Sequence, residues 1–224
     1  VIGARNPERG TLWIAAPLGL EAWALRGAVP GARVVRTGMG PLRAQRAAQR
    51  LRVEPAGALA VAGLCGALDP ELEPGDVVIG SALLGPESRR VALDAAPLAA
   101  ALARAGIAAR VGDIVSVSKP VTNAGRTQYA LHGACAVDME SFWLAEAAVG
   151  RPFAVLRVVL DGPRHELWRA DLPLRVATSL RRLRAAAPAL AAWAAEVSPT
   201  ASDAPARAVT PSSRYREPSW LARG

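Results

Sequence analysis

Three carboxylates stand where the sequence concentrates chemistry. Asp138 and Glu140 flank Met139 in Cys135-Ala136-Val137-Asp138-Met139-Glu140-Ser141, at the point where a short apolar run stops. Asp161 ends a second apolar run, Val155-Leu156-Arg157-Val158-Val159-Leu160. Both runs read as buried strands, and Ser141 to Ala148 (SFWLAEAA) reads as an apolar helix. Asp138 and Glu140 therefore stand at a strand-to-helix junction. Ligand crevices in α/β proteins form outside the carboxyl ends of the strands, so carboxylates closing two strands can face one crevice. A purely local reading also exists for the first pair. Asp138 would cap the following helix and Glu140 would favour its first turn.

The elements that must position these groups alternate along the chain. Thr11 to Ala16 (TLWIAA) reads as a strand, and Pro17-Leu18-Gly19 turns into a helix containing Glu21. Ala32 to Thr37 reads as a second strand, ending in Gly38-Met39-Gly40-Pro41 before a helix from Leu42 to Leu51. Ala58 to Ala62 is a continuous apolar run, as expected of a central strand buried on both faces, and Gly63-Leu64-Cys65-Gly66-Ala67-Leu68 reads as a small-residue loop after it. Strands are expected over 76–80 and 107–117, with an alanine-rich helix over 94–105 between them. An irregular loop over 118–124 and a helix over 125–132 come next. The last strands are 135–137 and 153–161, and a long amphipathic helix over 174–197, kinked at Pro188, closes the domain. This alternation over 11–197 predicts one layered α/β domain. Residues 1–10 read as an N-terminal extension. Residues 198–224, rich in Pro, Ser, Ala and Arg with few apolar anchors, read as a mobile tail.

Composition narrows the function. A chain of 224 residues can bury one sizeable core. The net charge of +8 comes from arginine, Lys119 being the only lysine. The arginines are scattered and no aromatic-basic interleaving accompanies them, which argues against nucleic acid; a basic surface does favour anionic lipid. No apolar run reaches the roughly 18 residues of a bilayer span, and residues 1–10 lack a secretory pattern. Cys65 and Cys135 lie in apolar surroundings and read as buried, reduced thiols, which makes a cytoplasmic enzyme the expectation. His132 and His165 stand apart from any ligand at zinc spacing, so no metal is expected. The glycine-rich loops lack the P-loop lysine and the dinucleotide fingerprint, so no nucleotide cofactor is expected.

Three separated segments, Thr37-Gly38-Met39-Gly40, Gly63-Leu64-Cys65-Gly66-Ala67-Leu68 with Gly75-Asp76-Val77-Val78, and Val137-Asp138-Met139-Glu140, together resemble the purine nucleoside phosphorylase and nucleosidase superfamily. The Asp138-Met139-Glu140-Ser141 form and the Leu160-Asp161 ending look most like the hopanoid-associated phosphorylases. The resemblance implies a three-layer α/β/α fold with a central mixed, largely parallel sheet, a homo-oligomer, and cleavage of an N-glycosidic bond. It also implies roles. Asp161 would be the acid at N7 of the purine, with Leu160 where the family carries a serine. Glu140 would accept from the ribose hydroxyls and Met139 would pack beneath the sugar. Glu21 matches the glutamate that activates water in the hydrolytic branch. Gly38, Met39, Gly40, Leu64, Cys65 and Gly66 would complete the substrate site. Phosphate is possible as co-substrate. However, Val61 and Leu64 stand where bacterial phosphorylases carry an arginine and a serine, which tilts the expectation towards water, with Arg43 or a partner's arginine as the phosphate ligand otherwise.

The substrate implied is adenosylhopane, losing adenine, with Phe142, Trp143, Trp168 and Leu172 as apolar material for its tail. An ordinary methylthioadenosine or adenosylhomocysteine nucleosidase is the alternative, and a non-catalytic basic protein binding membrane or RNA a more distant one. An amphiphilic substrate implies visits to the inner face of the membrane, for which the arginines of the last helix and Arg214, Arg216, Trp220 and Arg223 of the tail are suited.

Overall fold

The computed structural model describes residues 11–198, apart from 55, 56, 122, 166 and 168. The expected extension over 1–10 and all but the first residue of the expected tail lie outside the described residues, as does Trp168.

Apolar runs bounded by Gly and Pro form the strands. β1 (Leu12–Ala16) leads into α1 (Gly19–Leu25), and β2 (Arg33–Arg36) into α2 (Pro41–Val53), which starts with Pro where a missing N–H costs nothing. β3 runs from Ala58 to Ala67. The expected loop over 63–68 is therefore largely strand, because its small residues pair on both sides. β4 (Val77–Leu84) is longer than expected and turns through a 3-10 segment into β5 (Arg90–Ala92), a strand the sequence reading did not anticipate. α3 (Ala96–Arg104), β6 (Ala109–Ser116), α4 (Asn123–Leu131) and β7 (Ala134–Asp138) follow. The expected helix over 141–148 is one short α-turn, α5 (Ser141–Leu144), continued as a 3-10 segment. β8 (Phe153–Asp161) and α6 (Leu172–Val197) complete the domain, and α6 is continuous through Pro188.

The strands form one mixed sheet. Pairing is parallel between β2 and β1, β1 and β3, β3 and β8, β4 and β6, and β6 and β7; it is antiparallel between β8 and β4, β4 and β5, and β7 and β3. Strands β3, β8, β4, β6 and β7 thus close on themselves, because the end of β3, past its pairing with β1, keeps β8 on one side and takes β7 on the other. α1, α3 and α6 cover one face around Ile14, Leu25, Leu98, Leu102, Leu190 and Trp193. α2 and α5 cover the other around Trp13, Leu51, Leu59, Val61 and Phe142. This is the expected three-layer α/β/α architecture with a largely parallel sheet.

The closure positions the site. Gly66 is the register partner of Val137 on β7 and of Asp161 on β8, at an irregularity between Cys65 and Gly66. One residue of β3 therefore draws the two carboxylate-bearing strand ends together.

Candidate active site

A cavity of about 620 Å³ opens at these strand ends, and its walls carry Glu21, Met39, Leu64, Cys65, Gly66, Asp138, Met139, Glu140 and Asp161. Of the residues expected to act on or bind the reacting nucleoside, all line it except Gly38 and Gly40. Gly40 takes part through its backbone, donating its N–H to Glu140 Oε1 at 2.8 Å. Gly38 packs against the Arg43 side chain. Phe142 and Trp143 do not reach the cavity. They are buried in the core beneath α2, so the apolar walls come instead from Val117, Pro120, Val121, Leu160 and Leu167. Leu172, at the start of α6, also stands off the wall.

The polar end is built on a residue that the sequence reading did not single out. Arg157 lies in the middle of β8 with 0% exposure. Its guanidinium sits 2.6 Å from Asp138 Oδ2 and 3.6 Å from Glu140 Oε2, and it donates to Ser141 Oγ at 2.9 Å. Burial acts against its charge, but Asp138, Glu140 and Glu21 outweigh that and hold it protonated. The sequence signal was available: an arginine inside an apolar strand must bring its counter-ions with it.

Asp138 serves this framework. Its Oδ1 accepts from Ser116 Oγ at 2.5 Å and from the amides of Glu140 and Ser141 at 3.2 and 3.3 Å. Asp138 thus holds the amides at the start of α5, as the local reading expects, while Glu140 reaches the cavity wall with Oε1 on the Gly40 amide and Oε2 near Arg157. Burial, opposed by Arg157 and reinforced by Asp138, pushes the Glu140 carboxyl up to about 7. It therefore changes charge near neutrality.

Glu21, in the first turn of α1, is 1% exposed. Oε2 accepts from the Leu18 amide at 2.6 Å, closing the helix start, and Oε1 accepts from the Leu64 amide at 2.7 Å. It thus fills the local role open to any acidic residue there and also faces the cavity. Burial raises its pKa against the pull of Arg157, which makes it a better proton acceptor than a surface carboxylate.

Asp161 occupies the other end. It is buried and forms an ion pair with Arg126 of α4, whose Nη1 also donates to the Ala67 carbonyl at 2.7 Å. Burial raises the Asp161 carboxyl and Arg126 opposes the rise. Arg175 of α6 donates to the carbonyls of Leu160 and His165 at 3.1 and 3.3 Å, fixing the chain on both sides of Asp161. Arg126 also escaped the sequence reading, for nothing in helix composition separates it from the surface arginines. His165 points away, bonding Glu73 at 2.6 Å. Cys65 and Cys135 are buried free thiols, and burial raises both.

Val61 is buried in the core, and Leu64 gives its amide to Glu21. Arg43 lines a separate groove with Arg33, Arg36, Arg46 and Arg50. Among the described residues, no cluster of His, Cys, Asp and Glu could hold a metal ion, and no helix is long and apolar enough to cross a membrane.

Comparison with known proteins agrees with this architecture. No curated protein sequence matches the chain. Among solved structures, futalosine hydrolase of Helicobacter pylori strain 26695 superposes with a TM-score of 0.69 at 14% identity, covering 84% of this chain and 98% of that one. The 5'-methylthioadenosine/S-adenosylhomocysteine nucleosidase of Neisseria meningitidis, in complex with methylthio-immucillin-A, gives 0.66 at 22% identity over 84% and 99%. The corresponding Campylobacter jejuni nucleosidase gives 0.67 at 17% identity over 76% and 93%. At these identities the likeness establishes the fold. The family model described as Phosphorylase superfamily matches residues 27–196, and the chain belongs to that family.

Proposed function

We propose that the protein hydrolyses the N-glycosidic bond of a purine nucleoside, and that its substrate is adenosylhopane, from which it releases adenine in hopanoid biosynthesis. The observation that carries the reaction is the division of one cavity. A buried Asp161–Arg126 pair among apolar walls faces one end, and Glu21 and Glu140 over Arg157 face the other. A flat base fits the first end and a polyhydroxyl sugar the second. Glu140 accepts from the sugar hydroxyls, a contact that strengthens as the ring becomes cationic. A water oxygen joins C1′ while its proton passes to Glu21. The electron pair of the C1′–N9 bond goes to the base, which takes up a proton in exchange for the one Glu21 received. Nucleoside and water thus give free base and free sugar.

Water is favoured over phosphate because Arg126 is the one guanidinium on the described cavity wall and Asp161 already engages it. The apolar 5′ substituent is supported by the rim. Leu20 (59% exposed) and Trp23 (67%) on α1 and Leu42 (71%) on α2 leave apolar surface in water beside Leu18 and Met39, which line the cavity. The same surface, with the arginines of the neighbouring groove, suits peripheral contact with an anionic bilayer. The fold of the methylthioadenosine nucleosidases favours a second reading, with a small 5′ group in place of the hopane.

One experiment sorts these. Purified protein is incubated with adenosylhopane, methylthioadenosine and inosine, with and without phosphate, and free base and sugar are followed. Adenine release from adenosylhopane without phosphate is expected. Release only from methylthioadenosine would remove the hopanoid substrate, and phosphate-dependent sugar phosphate would replace hydrolysis. No base from any substrate would overturn the reaction.

A further inference from the structure

The base end of the cavity holds a group that the strand-end carboxylates do not explain. Arg126 is buried, lines the cavity, and is fixed at two points, by the Ala67 carbonyl and by Asp161 Oδ2. The same cavity is walled by Val117, Pro120, Val121, Leu160 and Leu167. Among the described residues, Arg126 and Asp161 are thus the polar side chains available to a base in that slot. An ion-paired carboxylate offers only lone pairs, whereas a guanidinium offers only N–H donors. Arg126 keeps a second N–H on each terminal nitrogen, and Asp161 keeps Oδ1. Gly66 leaves this edge open: a Cβ there would lie 2.8 Å from Arg126 Nη1 and 3.1 Å from Asp161 Oδ1.

One donor beside one acceptor is the complement of an adenine edge, which presents N7 as acceptor and the 6-amino group as donor. A 6-oxopurine presents two acceptors there and would set O6 against the lone pairs of Asp161. We propose that Arg126 is a specificity-determining residue for the leaving base: it donates to N7 while Asp161 Oδ1 accepts from the 6-amino group, so the pair selects 6-aminopurines. The proposal rests on the reading of the cavity as a purine nucleoside site, and it transfers the N7 contact from Asp161 to Arg126. The same contact sets a cation beside the imidazole ring when the electron pair of the C1′–N9 bond moves onto the base, where a fixed donor is most effective.

Calorimetric binding of adenine, 7-deazaadenine and hypoxanthine tests it on the intact protein. Wild type is expected to bind adenine about tenfold or more tightly than either of the others, the scale of a lost donor–acceptor pair. Discrimination against 7-deazaadenine should fall to within about twofold in Arg126→Met and persist in Asp161→Asn. If Arg126→Met fails to fold around an unpaired Asp161, the double variant Arg126→Met/Asp161→Asn removes both charges and is compared with Asp161→Asn alone. Full discrimination against 7-deazaadenine without Arg126 overturns the proposal, as does wild-type preference for hypoxanthine. A wild type that binds none of the three bases overturns the purine site itself and the role of Arg126 with it.

Discussion

Replacing Arg157 by Met tests whether the polar end of the site is held by a single buried cation. The guanidinium has no exposure, touches Asp138 at 2.6 Å and Glu140 at 3.6 Å, and donates to Ser141 Oγ. Methionine fills much of the volume but leaves buried carboxylates without a counter-ion. Breaking such a pair from one side costs about 3–5 kcal/mol, which is roughly 6–20 °C in Tm for a domain of this size. The loss depends on pH. The Glu140 carboxyl in the folded protein is at about 7, above its ordinary value of 4.5. A carboxyl raised by folding binds more protons folded than unfolded, so stability is greatest below the ordinary value and declines as pH rises towards the folded one. Burial raises Glu140 and Glu21, and Arg157 is what lowers them, so without it both rise further and the window of decline extends upward. Urea unfolding of wild type and Arg157→Met at about pH 5 and about pH 8 should therefore show the larger difference at the higher pH. Adding Asp138→Asn and Glu140→Gln to Arg157→Met should recover part of the loss. A loss below about 1 kcal/mol, equal at both pH values, would refute the view that this cation holds the site.

Further consequences can be measured directly. Asp161→Asn should lower turnover by roughly 100-fold or more, the scale for losing a positioned polar group at the reacting centre, while circular dichroism shows an intact fold; near-wild-type turnover would remove Asp161 from the site. Activity should rise with pH through a limb near 7, where Glu140 ionises, and Glu140→Gln should remove that limb in a pH profile of kcat/KM. The wild-type penalty for a 2′-deoxy substrate should largely vanish in the same variant, whereas additive losses would mean that Glu140 does not hold the hydroxyl. Gly63→Ala would place a Cβ 2.7 Å from Glu21 Oε1 and 2.9 Å from Arg157 Nη1. It should cost about 1–3 kcal/mol in a denaturant melt and lower turnover with it.

The sequence by itself determined the class of fold and which carboxylates could share one cavity at the strand ends. Apolar runs cut by Gly and Pro give strands and helices in alternation. A carboxylate ending a strand marks the crevice side of the sheet, which is why Asp138, Glu140 and Asp161 were legible before any coordinate. The Glu21 position was legible too, but as a helix start; its second oxygen meets Leu64, which lies 43 residues away, and only the folded chain shows that contact. The run from Gly63 to Ala67 read as a loop because small residues carry little strand propensity; pairing with β8 and then β7 overrode that. The two arginines show the same division. Arg157 could be suspected from its place in an apolar strand, but not its partners, which stand 16 to 19 positions earlier in the chain, nor its link to Leu64 across 93 residues. Arg126 is one of 27 basic residues, and no local pattern distinguishes it. Charge pairing at the base end depends on the end of β3 holding β8 on one side and β7 on the other, because that closure draws the end of β8 and the strand that follows α4 to one point. Residue type fixed which chemistry was possible; long-range strand pairing decided which charges meet.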